Sequence, residues 1–126
     1  MKLNAKDLRI GNYLMYNFKN KGPQMVELCF NDFKYGLEFD IEDYKPIPLT
    51  EELLIRLGWV FNTDAKCYEK FPGGDSRLFL YKKEVNNSFD MFNYVLKAII
   101  CKDIKYLHQL QNLIYSLTNK ELTLKD

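Results

Sequence analysis

Between Phe33 and Ile41 the apolar residues Phe33, Tyr35, Leu37, Phe39 and Ile41 alternate strictly with Lys34, Gly36, Glu38, Asp40 and Glu42. No other stretch of the chain restricts its fold so tightly. Successive side chains of a strand point to opposite faces, so this spacing predicts a strand with one buried and one wet face, as in an antiparallel sheet. Two shorter runs precede it. Leu8–Tyr16 predicts a strand from about Tyr13, entered through a turn at Gly11-Asn12, and Asn20-Lys21-Gly22-Pro23 breaks the chain. Gln24 to Phe30 then sets Val26, Leu28 and Phe30 on one face at period two. Three short strands joined by tight turns predict a small curled, SH3-like sheet over residues 1–45.

Tyr44-Lys45-Pro46-Ile47-Pro48-Leu49 reads as an extended linker, because two prolines remove backbone donors from any central strand. It leads straight into a helix. Thr50 is an N-cap, Glu51 and Glu52 place negative charge in the first turn, and Leu49 and Leu54 are spaced as a hydrophobic staple. Gly58 supplies the left-handed residue that ends the helix after Leu57. Cys67–Phe71 and Arg77–Tyr81 flank Pro72-Gly73-Gly74-Asp75-Ser76 as a hairpin. The run Phe89–Cys101 suits helix or strand, and its β-branched end favours a strand over Tyr94–Ile100. Leu107, Leu110, Ile114 and Leu117 form one stripe of a helix over Ile104–Leu117, widened by Tyr106 and Leu113 and ended at Thr118-Asn119. Glu121-Leu122-Thr123-Leu124 suggests a short edge strand. The expected fold is therefore one α+β domain over 1–126. Its β subregion is followed by a helix–hairpin–strand–helix subregion (46–126), with the C-terminal helix packed on a second antiparallel sheet.

The composition restricts the function classes. Lys and Arg total 18 against 17 Asp and Glu, a formal net charge of +1, which lacks the basic footprint of a protein that coats DNA. No run approaches the roughly 18 apolar residues of a membrane helix, and Met1–Asp7 lacks the apolar centre of a secretory signal. Cys29, Cys67 and Cys101 are widely spaced and odd in number, which points to buried free thiols in a reducing cytoplasm.

Three segments carry a resemblance: Leu8-Arg9-Ile10-Gly11-Asn12-Tyr13, Pro46-Ile47-Pro48-Leu49-Thr50-Glu51-Glu52-Leu53-Leu54, and Tyr106-Leu107-His108-Gln109-Leu110-Gln111-Asn112-Leu113. In this order they resemble a family of small proteins of Bacteroidetes genomes, often found in prophage or mobile-element neighbourhoods. The last segment continues into Tyr115, Leu117, Thr118, Glu121 and Leu122. Members of that family often carry Gly where this chain has Asn119, which preserves a left-handed cap. The resemblance implies a source and no activity, substrate or cofactor.

The polar group His108, Gln109, Gln111 and Asn112 stands out. On a helix, His108, Gln111 and Asn112 come together at spacings of three and four. Imidazole and amides offer donors and acceptors together, so the group suits a patch gripping a peptide backbone or nucleobase edges. It equally suits a set of buried, satisfied side chains tying the helix to neighbouring segments. Lys19, Lys21 and Lys34 near Tyr13 and Tyr16 combine cations with aromatic rings, as single-strand nucleic-acid binding needs, although an ordinary surface over core aromatics gives the same letters. A Cys101–His108 nucleophile pair lacks an orienting group and an oxyanion element. Neither C-x-x-C nor H-x-x-x-H spacing occurs for a metal, and Glu38, Asp40 and Glu42 read as the wet side of a strand. Gly73-Gly74 lacks the Lys-Ser/Thr of a phosphate loop.

The expected function is accordingly a non-enzymatic interaction module of a phage or mobile element, without cofactor or metal, binding a protein partner through a sheet edge or a helix groove. Nucleic-acid binding through the N-terminal sheet is the alternative, and an enzyme using His108 ranks last. Exposed Tyr, Phe and sheet edges also invite homo-oligomerisation.

Overall fold

A computed structural model describes residues 3–32, 43–73, 76–84, 86–94 and 96–124. The strand expected over Phe33–Ile41 lies outside the described residues, and with it Lys34, Glu38 and Asp40; Glu42 does so too. The described residues form an α+β structure with two antiparallel sheets, of three and five strands, and two α-helices. They divide into two compact units, Met1–Pro48 with Tyr106–Leu113 and Leu49–Lys105 with Ile114–Asp126.

In the first unit, β1 (Tyr13–Phe18) pairs antiparallel with β2 (Gly22–Glu27) on one side and with β3 (Tyr44–Lys45) on the other. Gly22 takes φ +74° at the turn, a conformation that glycine adopts without a Cβ penalty. Leu14 and Tyr44 join Leu3, Leu8 and Leu28 in a core against which Tyr16 and Val26 pack. The β2 run is shorter than its period-two pattern predicts. It stops at Glu27, and Phe30, expected beside Val26 and Leu28, is 62% exposed. The cause is local: Asp32 Oδ2 accepts from Cys29 N at 2.7 Å and turns the chain out of the extended conformation. Cys29 is correspondingly exposed rather than buried. Three strands are described in this sheet, in the order β2-β1-β3.

In the second unit, α1 (Glu51–Arg56) begins as its sequence dictates. Thr50 Oγ1 accepts from Leu53 N at 3.2 Å, Gly58 takes φ +92° just past the end, and Leu49 and Leu54 are buried. The chain then runs as a meander, β4 (Val60–Asn62), β5 (Cys67–Gly73), β6 (Ser76–Lys83), β7 (Ser88–Asn93) and β8 (Ala98–Ile104), in spatial order β4-β5-β6-β7-β8. A single strand over Tyr94–Ile100 is not formed, because β7 ends at Asn93 and β8 begins only at Ala98. Asn93 Oδ1 accepts from Leu96 N at 3.0 Å, and Lys97 takes the left-handed φ of +53°. The β4–β5 turn is built alike: Asn62 Oδ1 accepts from Asp64 N and Ala65 N, and Lys66 has φ +55°.

The registers divide the meander into two faces. Tyr68 opposes Leu80, Leu80 opposes Met91, Lys82 opposes Phe89 and Phe89 opposes Ile104. Tyr68, Leu78, Leu80, Phe89, Met91 and Ile104 are buried, so this is the core face. Lys70 Nζ donates to Leu57 O at 3.2 Å and Lys82 lies 3.7 Å from Glu51, both from this face, which puts α1 over it. Phe79, Tyr81, Asp90, Phe92 and Ile99 belong to the other face.

The second helix, α2, is Leu107–Thr118. Ile104, expected inside it, instead pairs with Phe89 as the end of β8. Asn119 takes φ +58° and stops the helix as expected. No strand forms over Glu121–Leu124; Leu122 is buried there without joining a ladder. Among the described residues no helix is long and apolar enough to cross a membrane.

Candidate interaction surface

The four polar residues at the start of α2 divide their bonding differently. Tyr106 is the N-cap, and Gln109 reaches back so that its Oε1 accepts from Tyr106 N at 3.1 Å, half of a capping box. Gln111 is fully buried: its Nε2 donates to Gly11 O at 3.0 Å and its Oε1 accepts from Tyr13 N at 2.9 Å. Asn112 Oδ1 accepts from Asn12 Nδ2 at 2.8 Å and from Arg9 Nε at 3.1 Å, while its Nδ2 donates to Asp7 O at 2.9 Å. Asn12 completes the clasp by accepting from Arg9 N at 2.7 Å. Leu107 N donates to Ile47 O at 2.8 Å, and Pro48 bridges to Tyr106. Residues from all three segments that carry the family resemblance thus bond to one another, and the amides of Gln111 and Asn112 are engaged by the chain's own backbone and side chains.

His108 is 1% exposed, and its Nδ1 finds no hydrogen-bond partner among the described residues. Its ring stacks on Tyr106 with centroids 6.1 Å apart and planes at 20°. Burial holds its pKa below the ordinary histidine value, and the Asp7 carboxylate opposes that shift. A ring sealed in this way can move protons only if the helix start opens.

The nucleic-acid group is dispersed. Lys19 and Lys21 are exposed on the β1–β2 turn. Tyr13 and Tyr16 are three residues apart on one strand, so they lie on opposite faces of β1 and form no common stacking platform. Tyr16 packs against Phe18 (4.8 Å) and Tyr44 (4.7 Å). Lys34 lies outside the described residues.

A different surface is organised for contact, on the outer face of the meander. Phe79 sits at its centre, with ring centroids of Tyr81, Phe92 and Tyr94 at 6.3, 6.3 and 6.0 Å. The Arg77 guanidinium stands 5.0 Å from the Phe79 centroid and 5.2 Å from that of Tyr94, within cation–π range. Arg77 is held there by Glu69 at 2.9 Å, and Glu69 also accepts from Asn62 at 3.3 Å. Both partners hold the Glu69 carboxyl below its usual range, Arg77 foremost. The rings leave Phe79 only 6% exposed, yet Tyr81 is 37%, Tyr94 50% and Ile99 51% exposed. At the end of the face towards the β6–β7 turn, Lys83 lies 2.8 Å from Asp103 and 3.7 Å from Asp90. Cys67, buried and hydrogen-bonded to Tyr81, has its thiol pushed up by desolvation.

The signal for this surface was present in the letters. Arg77, Phe79, Tyr81 and Lys83 fall at period two, as do Asp90, Phe92 and Tyr94. Leu78-Phe79-Leu80 is buried on both sides, which hides the choice of face. Among the described residues no group of three or more His, Cys, Asp or Glu is placed to hold a metal ion. No protein-family model, curated protein or solved structure matches this chain.

Proposed function

We propose that this protein is a non-enzymatic interaction module that binds a protein partner through the outer aromatic face of its five-stranded sheet. The observation that carries this reading is the set of half-exposed Tyr81, Tyr94 and Ile99 arranged around a ring–guanidinium centre that is already locked by Glu69. Aromatic residues and Arg dominate protein contacts because they bring large area at small entropic cost, and a pre-positioned Arg loses little further freedom on binding. Arg77 is paired with Glu69, and Lys83 with Asp90 and Asp103, so neither of these cations is free for a phosphate backbone.

A sheet edge serves less well. β8 is an edge of the meander, but its ladder to β7 shifts register twice, Lys102 lies in it, and Lys97 and Lys105 flank its two ends. Bulges and edge lysines are the devices by which proteins discourage strand addition. The resemblance to small proteins of mobile elements, together with cysteines that form no disulfide, supports a role in the cytoplasm as part of such an element.

The test is capture from host lysate with the full chain, with nuclease and at low and high salt. Tyr94→Glu and Ile99→Glu should abolish capture of a nuclease-resistant partner, and Lys19→Glu with Lys21→Glu should leave it intact. Capture that survives the face variants, or recovery only of nucleic acid that is lost at high salt, overturns the reading.

A further inference from the structure

We draw no further inference here: the strongest candidate, the half-exposed aromatic surface patch around Phe79 on the outer face of the five-stranded sheet, belongs to the binding surface already described, and nothing in the structure shows what covers it.

Discussion

The side chain of Gln111 bonds the backbone astride Asn12 as a β-ladder neighbour would: Nε2 donates to the Gly11 carbonyl at 3.0 Å, while Oε1 accepts from Tyr13 N, two residues on, at 2.9 Å. Gly11 itself takes φ +95°, and its N–H donates to Leu28 O. The start of β1 is thus held on one side by β2 and on the other by a buried amide from α2.

Gln111→Ala should consequently destabilise the chain well beyond the loss of side-chain packing. It removes the buried bonds to the Gly11 carbonyl and the Tyr13 amide, at a cost of about 2–4 kcal/mol. Gln111→Glu keeps an acceptor for Tyr13 N but turns a carboxylate towards the Gly11 carbonyl, so it should rescue little. Urea unfolding checks both: the midpoint should fall with an unchanged slope. A shift below about 0.5 kcal/mol would show that the clasp contributes nothing net.

Where sequence and structure agree, the signal is a residue whose chemistry has one common use. Thr50 before two glutamates, Gly58 after Leu57 and Asn119 after the α2 stripe mark helix ends, and each does so here. Where they part, the letters were apolar but the turn was made by backbone geometry. Tyr94 and Leu96 read as strand, yet Asn93 Oδ1 accepts from Leu96 N and Lys97 takes φ +53°. The same Asn-x-x-x-Lys spacing at Asn62–Lys66 lay in a stretch rich in turn residues. β4, three residues long and with Val60 and Phe61 exposed, carries too little pattern to be seen. The polar residues of α2 were singled out from their spacing, but the partners of Gln111 and Asn112 are backbone groups of Asp7, Gly11 and Tyr13 and the side chains of Arg9 and Asn12, about a hundred residues away, which no local pattern reveals. The aromatic face stayed hidden because which side of Leu78-Phe79-Leu80 meets the core depends on where α1 lies.

The left-handed turn residues make a second expectation. Lys66 at φ +55° is exposed and ends a turn already capped by Asn62. Lys66→Gly removes the Cβ strain and should be neutral or stabilising by up to about 1 kcal/mol. Lys66→Val, β-branched in the same conformation, should cost about 1–2 kcal/mol or more. Thermal melts of the pair decide it, and equal melting temperatures would contradict the turn geometry.

Thiol labelling should resolve the three cysteines in order. Cys29 is exposed, Cys101 half-buried and Cys67 1% exposed. Burial raises the pKa of Cys67 and of Cys101, for the latter with Asp90 and Asp103 adding to it, so both have less thiolate than a free cysteine at neutral pH. A chromogenic disulfide reagent should show one fast phase that Cys29→Ser abolishes, one slow phase, and a third thiol released only by denaturant. Rapid native reaction of Cys67 would mean that the sheet opens around Tyr81.

His108 gives the chain a stability that depends on pH in one direction. It is the only histidine, so between about pH 5 and 6.5 no other side chain of ordinary pKa titrates. Burial holds its folded pKa below the unfolded value near 6.5. Within that window the unfolded chain binds more protons than the folded one, and stability therefore rises with pH. It should be complete above about pH 6.5 and decline as pH falls below it, by at most about 1.4 kcal/mol per pH unit. The Asp7 carboxylate, which favours the charged ring, limits the slope, and Asp7→Asn should steepen it. His108→Leu replaces a ring whose Nδ1 has no partner among the described residues and should flatten the dependence without lowering stability at pH 7. Denaturant midpoints at half-unit steps of pH measure the slope. An unchanged slope in His108→Leu would show that the imidazole is hydrated in the folded chain.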